Sequence, residues 1–97
     1  MIKFEYISVD KLCSANEDIF KLILNKNPKA TKPLIKKMSL SCDKDFTANI
    51  NGEEITIKKD FGFEMGYDDP AIKSFKILTD AVTIYALIAY SVEKGVR

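Results

Sequence analysis

Residues 79–95 read TDAVTIYALIAYSVEKG, an almost unbroken apolar run in an otherwise polar chain. The assignment of this run sets the fold. Asp69 is a good N-cap, Pro70 suits the first helical position, and Gly95 after Lys94 suits a helix stop. These signals predict a helix over about 70–94. Within it Ala71, Phe75, Leu78, Val82, Tyr85, Ala89 and Val92 step by three and four, the spacing of a helix face that packs on a sheet. Thr83, Ala86, Leu87 and Tyr90 then share the opposite side, at i, i+3, i+4 and i+7. Full burial of Leu87 alone contributes roughly 1.5–3 kcal/mol, so this second apolar face needs a cover. The cover is the chain's own first helix, another protein molecule or a membrane. A membrane fails on length, because Asp80 and Glu93 bracket the run and a spanning helix needs about 20 apolar residues.

Upstream, alternation predicts strands. Ile2, Phe4 and Tyr6 alternate with Lys3 and Glu5, the pattern of a half-buried strand over about 2–8. Met38, Leu40 and Cys42, then Phe46, Ala48 and Ile50, then Ile55 and Ile57, then Phe61, Phe63 and Met65 continue the alternation. Asn51-Gly52 marks a two-residue turn with positive φ at both positions. That turn pairs Ile50 with Glu53, Ala48 with Ile55 and Phe46 with Ile57. Three-residue loops at 43–45 and 58–60 keep one face apolar throughout, whereas two-residue loops would flip a strand. The reading is one antiparallel meander over about 37–67, with Lys37, Ser39, Ser41, Thr47, Asn49, Thr56 and Lys58 toward water. Ser14 and Glu17 have capping-box spacing ahead of Ile19, Leu22 and Ile23, so a first helix is expected over about 14–26. Pro28 stops it.

The expected fold class is therefore α+β. An antiparallel meander (about 37–67) and an N-terminal strand carry two helices (about 14–26 and 70–94) on one face, in a single domain over 1–97. The α-β-β-β-α order over about 14–94 is similar in topology to double-stranded-RNA-binding domains. Those domains carry lysines at the start of the last helix, where this chain has Asp68-Asp69-Pro70. The acidic pair would repel phosphate, and the family is not assigned.

Composition narrows the chemistry. The net charge is +1, which does not advertise a nucleic-acid or membrane-surface binder. Arg97 is the only arginine, so bidentate phosphate recognition has little to work with. Histidine is absent, which removes the commonest general base and metal ligand. Cys13 and Cys42 form no CxxC pair. Cys13 precedes the first expected helix but lacks a base, and Cys42 falls on an apolar face; both read as structural thiols. The N-terminus MIKFEYISVD does not read as a signal peptide, and a cytoplasmic protein with reduced thiols is expected.

Two polar clusters remain. Glu64, between Gly62 and Gly66, and Asp68 and Asp69 just after them offer oxygen ligands but no calcium-loop spacing. Gly62-x-x-x-Gly66 lacks the lysine and hydroxyl of a phosphate loop. Glu53-Glu54 reads as a solvated turn. Lys26, Lys29, Lys32, Lys36 and Lys37 form the one basic cluster, suited to phosphates or an acidic partner. No catalytic, metal or cofactor residues are assigned. The expected function is protein–protein contact by a small intracellular accessory or inhibitor protein, of phage or mobile-element type. It would also self-associate through Thr83, Ala86, Leu87 and Tyr90. The alternative is a nucleic-acid-binding module using the Lys26–Lys37 loop.

Overall fold

The computed structural model describes residues 2–93. In chain order these form β1 (Ile2–Cys13), β2 (Glu17–Asp18), α1 (Ile19–Lys26), β3 (Leu34–Cys42), β4 (Phe46–Ile50), β5 (Glu53–Ile57), β6 (Phe63–Met65), β7 (Phe75–Ile77) and β8 (Val82–Glu93). The strands make two antiparallel sheets. Sheet I has the order β1-β8-β3-β6 and sheet II the order β2-β7-β4-β5. Their inner faces share one core, in which Ile7, Leu40, Ile84 and Ile88 meet Phe46, Ala48, Phe75 and Ile77. Ile19, Phe20 and Ile23 of α1 join it.

The protein is thus mostly antiparallel β with one short helix, and the expected α+β arrangement is overturned. The segment 70–94 is not a helix. It holds β7, a turn with Ala81 at φ 58°, and β8 at the centre of sheet I. Val82, Ile84, Ala86, Ile88, Tyr90 and Val92 are all buried, with a period of two. The alternation is hidden because Tyr85, Leu87 and Ala89 between them are apolar as well. Strand content is high in β-branched and aromatic residues, and β8 pairs along its length with both β1 and β3. Those long-range ladders override the local cap signals. Asp69 caps no helix; its Oδ2 accepts from the Gly66 N–H at 2.8 Å and closes a turn. The helix stop expected at Lys94 and Gly95 lies outside the described residues. Without a C-terminal helix, the topological likeness to double-stranded-RNA-binding domains lapses.

The meander is also corrected. The Asn51-Gly52 hairpin forms in the expected register, with φ of 53° and 88° at its two turn residues. However, β3 and β4 belong to different sheets, as do β5 and β6. Met38, Leu40, Cys42, Phe46, Ala48, Ile50, Ile57 and Met65 are buried all the same. Alternation reports which side of a strand is covered. It does not report which strand lies beside it, and two sheets facing one core satisfy the same pattern.

The first helix begins later than expected, at Ile19. Asp18 is its N-cap, accepting from the Phe20 N–H at 2.9 Å. The Ser14–Glu17 contact does form, Ser14 N–H to Glu17 Oε1 at 3.1 Å, but it closes the turn before β2. Burial alone would raise the Glu17 carboxyl; the Ser14 N–H and Lys11 outweigh it and hold it below its ordinary value.

β1 turns its expected face the other way. Ile7, Val9 and Cys13 are buried, whereas Phe4 and Tyr6 stand outside. Glu5, on the inner side, accepts from Asn27 Nδ2 at 3.1 Å and from the Tyr90 hydroxyl at 3.2 Å. Lys11, also on that side, pairs with Glu17 at 3.0 Å. Lys26 Nζ donates to the Tyr6 carbonyl at 2.9 Å on the free edge of β1. Inward-turned charges and a lysine on the edge carbonyl guard this strand against edge-to-edge pairing.

Candidate functional site

The outer face of sheet I is built on β8. Its rows follow from the ladders. Leu12 and Thr83 face each other, as do Asp10 and Tyr85, Ser8 and Leu87, Tyr6 and Ala89, and Phe4 and Ser91. On the other side β3 sets Ser41 beside Tyr85, Ser39 beside Leu87 and Lys37 beside Ala89. A bulge between Ile35 and Lys37 leaves Lys36 as the extra residue, so two lysines oppose Ala89.

Among the described residues, eight large apolar side chains are exposed. Six of them, Phe4, Tyr6, Leu12, Tyr67, Tyr85 and Leu87, gather here, each between 48% and 60% exposed. Leu24 and Phe61 are the other two. Half an aromatic side chain is about 100 Å², so the four aromatics present about 400 Å² and the two leucines bring the six to somewhat under ~600 Å² of largely apolar surface. That is at the upper end of the largest patch on an ordinary monomer.

The face has relief. β1 and β6 lie on opposite edges of sheet I, yet the Phe4 ring meets Tyr67, just beyond β6, edge-on at 6.1 Å between centroids. The loop after β6 therefore carries Tyr67 across the outer side of the sheet. Ala89 is 2% exposed but stands outside the core cluster, so outer-face side chains cover it. Lys37 Nζ lies 5.8 Å from the Tyr67 ring centre, within cation–π range. Loss of solvation first, and then the Tyr6 hydroxyl, push the Tyr67 phenol above its ordinary value. One end of the face is thus a raised aromatic block. The other end sets Leu87, Tyr85 and Leu12 among Ser8, Asp10, Ser39 and Ser41.

No protein-family model, curated protein or solved structure matches this chain. The face must be read from its own chemistry.

The four residues expected to share a helix face are separated by the strand. Leu87 is on the outer face, and Thr83 is half-buried at its lower end. Ala86 and Tyr90 point into the core. Burial, offset by the Asn27 hydrogen bond and reinforced by Glu5, raises the Tyr90 phenol. Phe4, Tyr6, Leu12, Tyr67 and Tyr85 escaped the sequence reading as site residues. Phe4 and Tyr6 looked like core, and Tyr85 looked like a sheet-packing helix residue. A signal was present: an alternating strand whose second set is also apolar has two faces to cover.

The basic cluster is dispersed. Lys26 lies at the end of α1, Lys29 and Lys32 lie in the following loop, and Lys36 and Lys37 lie at the bulge. Glu64 is exposed opposite Ser39, and Asp69 is engaged with Gly66. Among the described residues no group of three or more Cys, Asp or Glu is placed to hold a metal ion. Neither thiol has the low pKa of a nucleophile. Burial first, then Glu17, raises Cys13; burial first, then Asp43 and Asp45, raises Cys42. No helix among the described residues is long and apolar enough to cross a membrane.

Proposed function

We propose that the protein acts by binding protein through the outer face of sheet I, as a small accessory or inhibitor protein working by contact rather than catalysis. The observation that supports this is the gathering of six of the eight exposed large apolar side chains on that face. Tyrosines set among serines also have the composition of recognition surfaces, where rigid aromatic area is combined with adaptable polar groups. The test is a photo-cross-linking residue placed at Tyr85 or Leu12, and at Thr56 on sheet II as control, in cells that naturally make the protein. Protein adducts are expected from the first two positions and are expected to vanish with Leu87→Asp. Adducts from Thr56 alone would refute the assignment.

A second reading rests on the corner where Lys37 lies over Tyr67, beside Phe4 and near the Lys36 bulge. Exposed aromatic rings on which bases can stack, beside lysine, suit single-stranded nucleic acid. Asp10 and Glu64 on the same face oppose it. Anisotropy with mixed single-stranded oligonucleotides at two salt concentrations decides; this reading requires binding that weakens with salt and with Tyr67→Ala.

A further inference from the structure

We infer that the outer face of sheet I docks on the same face of a second copy, antiparallel, about a two-fold axis passing over Ala86. This rests on the protein-binding reading and names the partner. The ladder registers carry it. A two-fold axis lying between two facing sheets, at right angles to the strands, sets each row of one copy against a row of the other. Centred on Ala86, it exchanges the Leu87 row with the Tyr85 row and the Ala89 row with the Thr83 row.

Leu87 of each copy then lies over Tyr85 of the other, and Tyr6 lies over Leu12. Asp43 extends the Thr83 row, because its N–H donates to the Thr83 carbonyl at 3.1 Å and its Oδ1 accepts from the Thr83 N–H at 2.9 Å. Lys37 extends the Ala89 row. The same operation therefore places Lys37 of one copy over Asp43 of the other, twice per dimer. Apolar meets apolar, and opposite charges meet, from one choice of axis.

Sheets packed face to face keep their strands within about 30° of alignment, so the rows stay in reach. The largely apolar surface of somewhat under ~600 Å² per copy approaches the ~800 Å² per partner of a standard interface once the serines and the charged rim are added. Edge pairing through β1 is the competing mode, and Lys11, Glu5 and Lys26 guard that edge.

Sedimentation of the purified chain between about 5 and 500 μM tests the inference, since association follows mass action. The expected mass rises from 11.0 kDa toward twice that value. Leu87→Asp is expected to hold it at the monomer. Lys37→Asp and Asp43→Lys are each expected to weaken the dimer by about tenfold or more, because each sets like charges together twice. Mixing these two variants creates a heterodimer in which both pairs are opposite again, so the mixture is expected to recover the dimer. Recovery on mixing also shows that both variants are folded. A wild type monomeric throughout, single variants as dimeric as wild type, or no recovery on mixing would each overturn the dimer. A monomeric wild type that still cross-links another protein from Tyr85 would overturn this inference and leave the protein-binding reading standing.

Discussion

Gly62→Ala tests how sheet I is held together beside the candidate face. Gly62 has φ +66°, and a Cβ there would stand 2.5 Å from the Leu40 carbonyl oxygen. Carbon and oxygen in ordinary close contact stay about 3.3 Å apart, so something must move by about 0.8 Å. Leu40 cannot move freely, because it pairs with Phe63 on one side and Ala86 on the other. The left-handed backbone costs an alanine about 1–2 kcal/mol. Forcing extra volume into a packed site adds about 1–3 kcal/mol. The sum, about 2–5 kcal/mol, is a large share of the roughly 5–15 kcal/mol that holds an ordinary domain.

Two other glycines separate these contributions. Gly52 has φ +88° with nothing near its missing Cβ, so Gly52→Ala isolates the backbone strain. Gly66 has neither the strain nor a close neighbour, so Gly66→Ala is expected to stay within about 0.5 kcal/mol of wild type. Urea unfolding followed by far-UV circular dichroism, with the slope checked for constancy, measures all three. The expected order of loss is Gly62 greatest, Gly52 intermediate and Gly66 least. A Gly62→Ala variant no worse than Gly52→Ala would refute the close approach of β6 to β3.

The strand assignment of β8 has its own test. Ile88→Ala, at a fully buried position, is expected to cost about 2–5 kcal/mol, while Leu87→Ala next to it is expected to stay below about 1 kcal/mol in thermal unfolding of protein dilute enough to be monomeric. Equal losses would refute the alternation. Asn51→Gly keeps the turn conformation but removes a side chain that accepts from Lys73 and Ser74 N–H groups and donates to the Ala71 carbonyl. It is expected to lose about 2 kcal/mol by urea unfolding, and a neutral variant would show that the hairpin alone needs Asn51. The Tyr90 phenol is raised in the folded state, so its contribution is present below the ordinary tyrosine pKa and is lost as pH climbs through the raised value. Wild type is expected to lose stability faster than Tyr90→Phe above about pH 10, and parallel curves would refute the burial of this hydroxyl. Cys13 and Cys42 are expected to react with a thiol reagent only on unfolding; rapid reaction of the native protein would contradict their burial.

Local signals survived wherever the chemistry is local. Asn51-Gly52 set its own turn and the register of its hairpin, since both residues tolerate positive φ. Asp18 escaped notice as a cap because Ser14 and Glu17 offered a better-looking box four residues earlier. The alternation over 38–57 told correctly which side chains turn toward the core, but it misplaced Phe61, which is exposed ahead of β6. It failed on neighbours, because pairing β3 with β8 or β4 with β7 is decided by residues more than twenty positions apart in sequence. The candidate face suffered most. Tyr85, Leu87 and Ala89 made a two-faced strand look like a greasy helix, and Phe4 and Tyr6 passed for core.

The sequence by itself determined a small histidine-free chain with reduced-looking thiols, one unambiguous hairpin and more apolar surface in 82–92 than one packing face can hide. Only the tertiary structure decided where that excess goes. Helix periodicity assigns it to Thr83, Ala86, Leu87 and Tyr90. Strand periodicity sends Ala86 and Tyr90 inward and leaves Tyr85 and Leu87 outside. The choice between the two periods was made by the ladders β8 forms with β1 and β3, whose hydrogen bonds join residues that lie far apart along the chain.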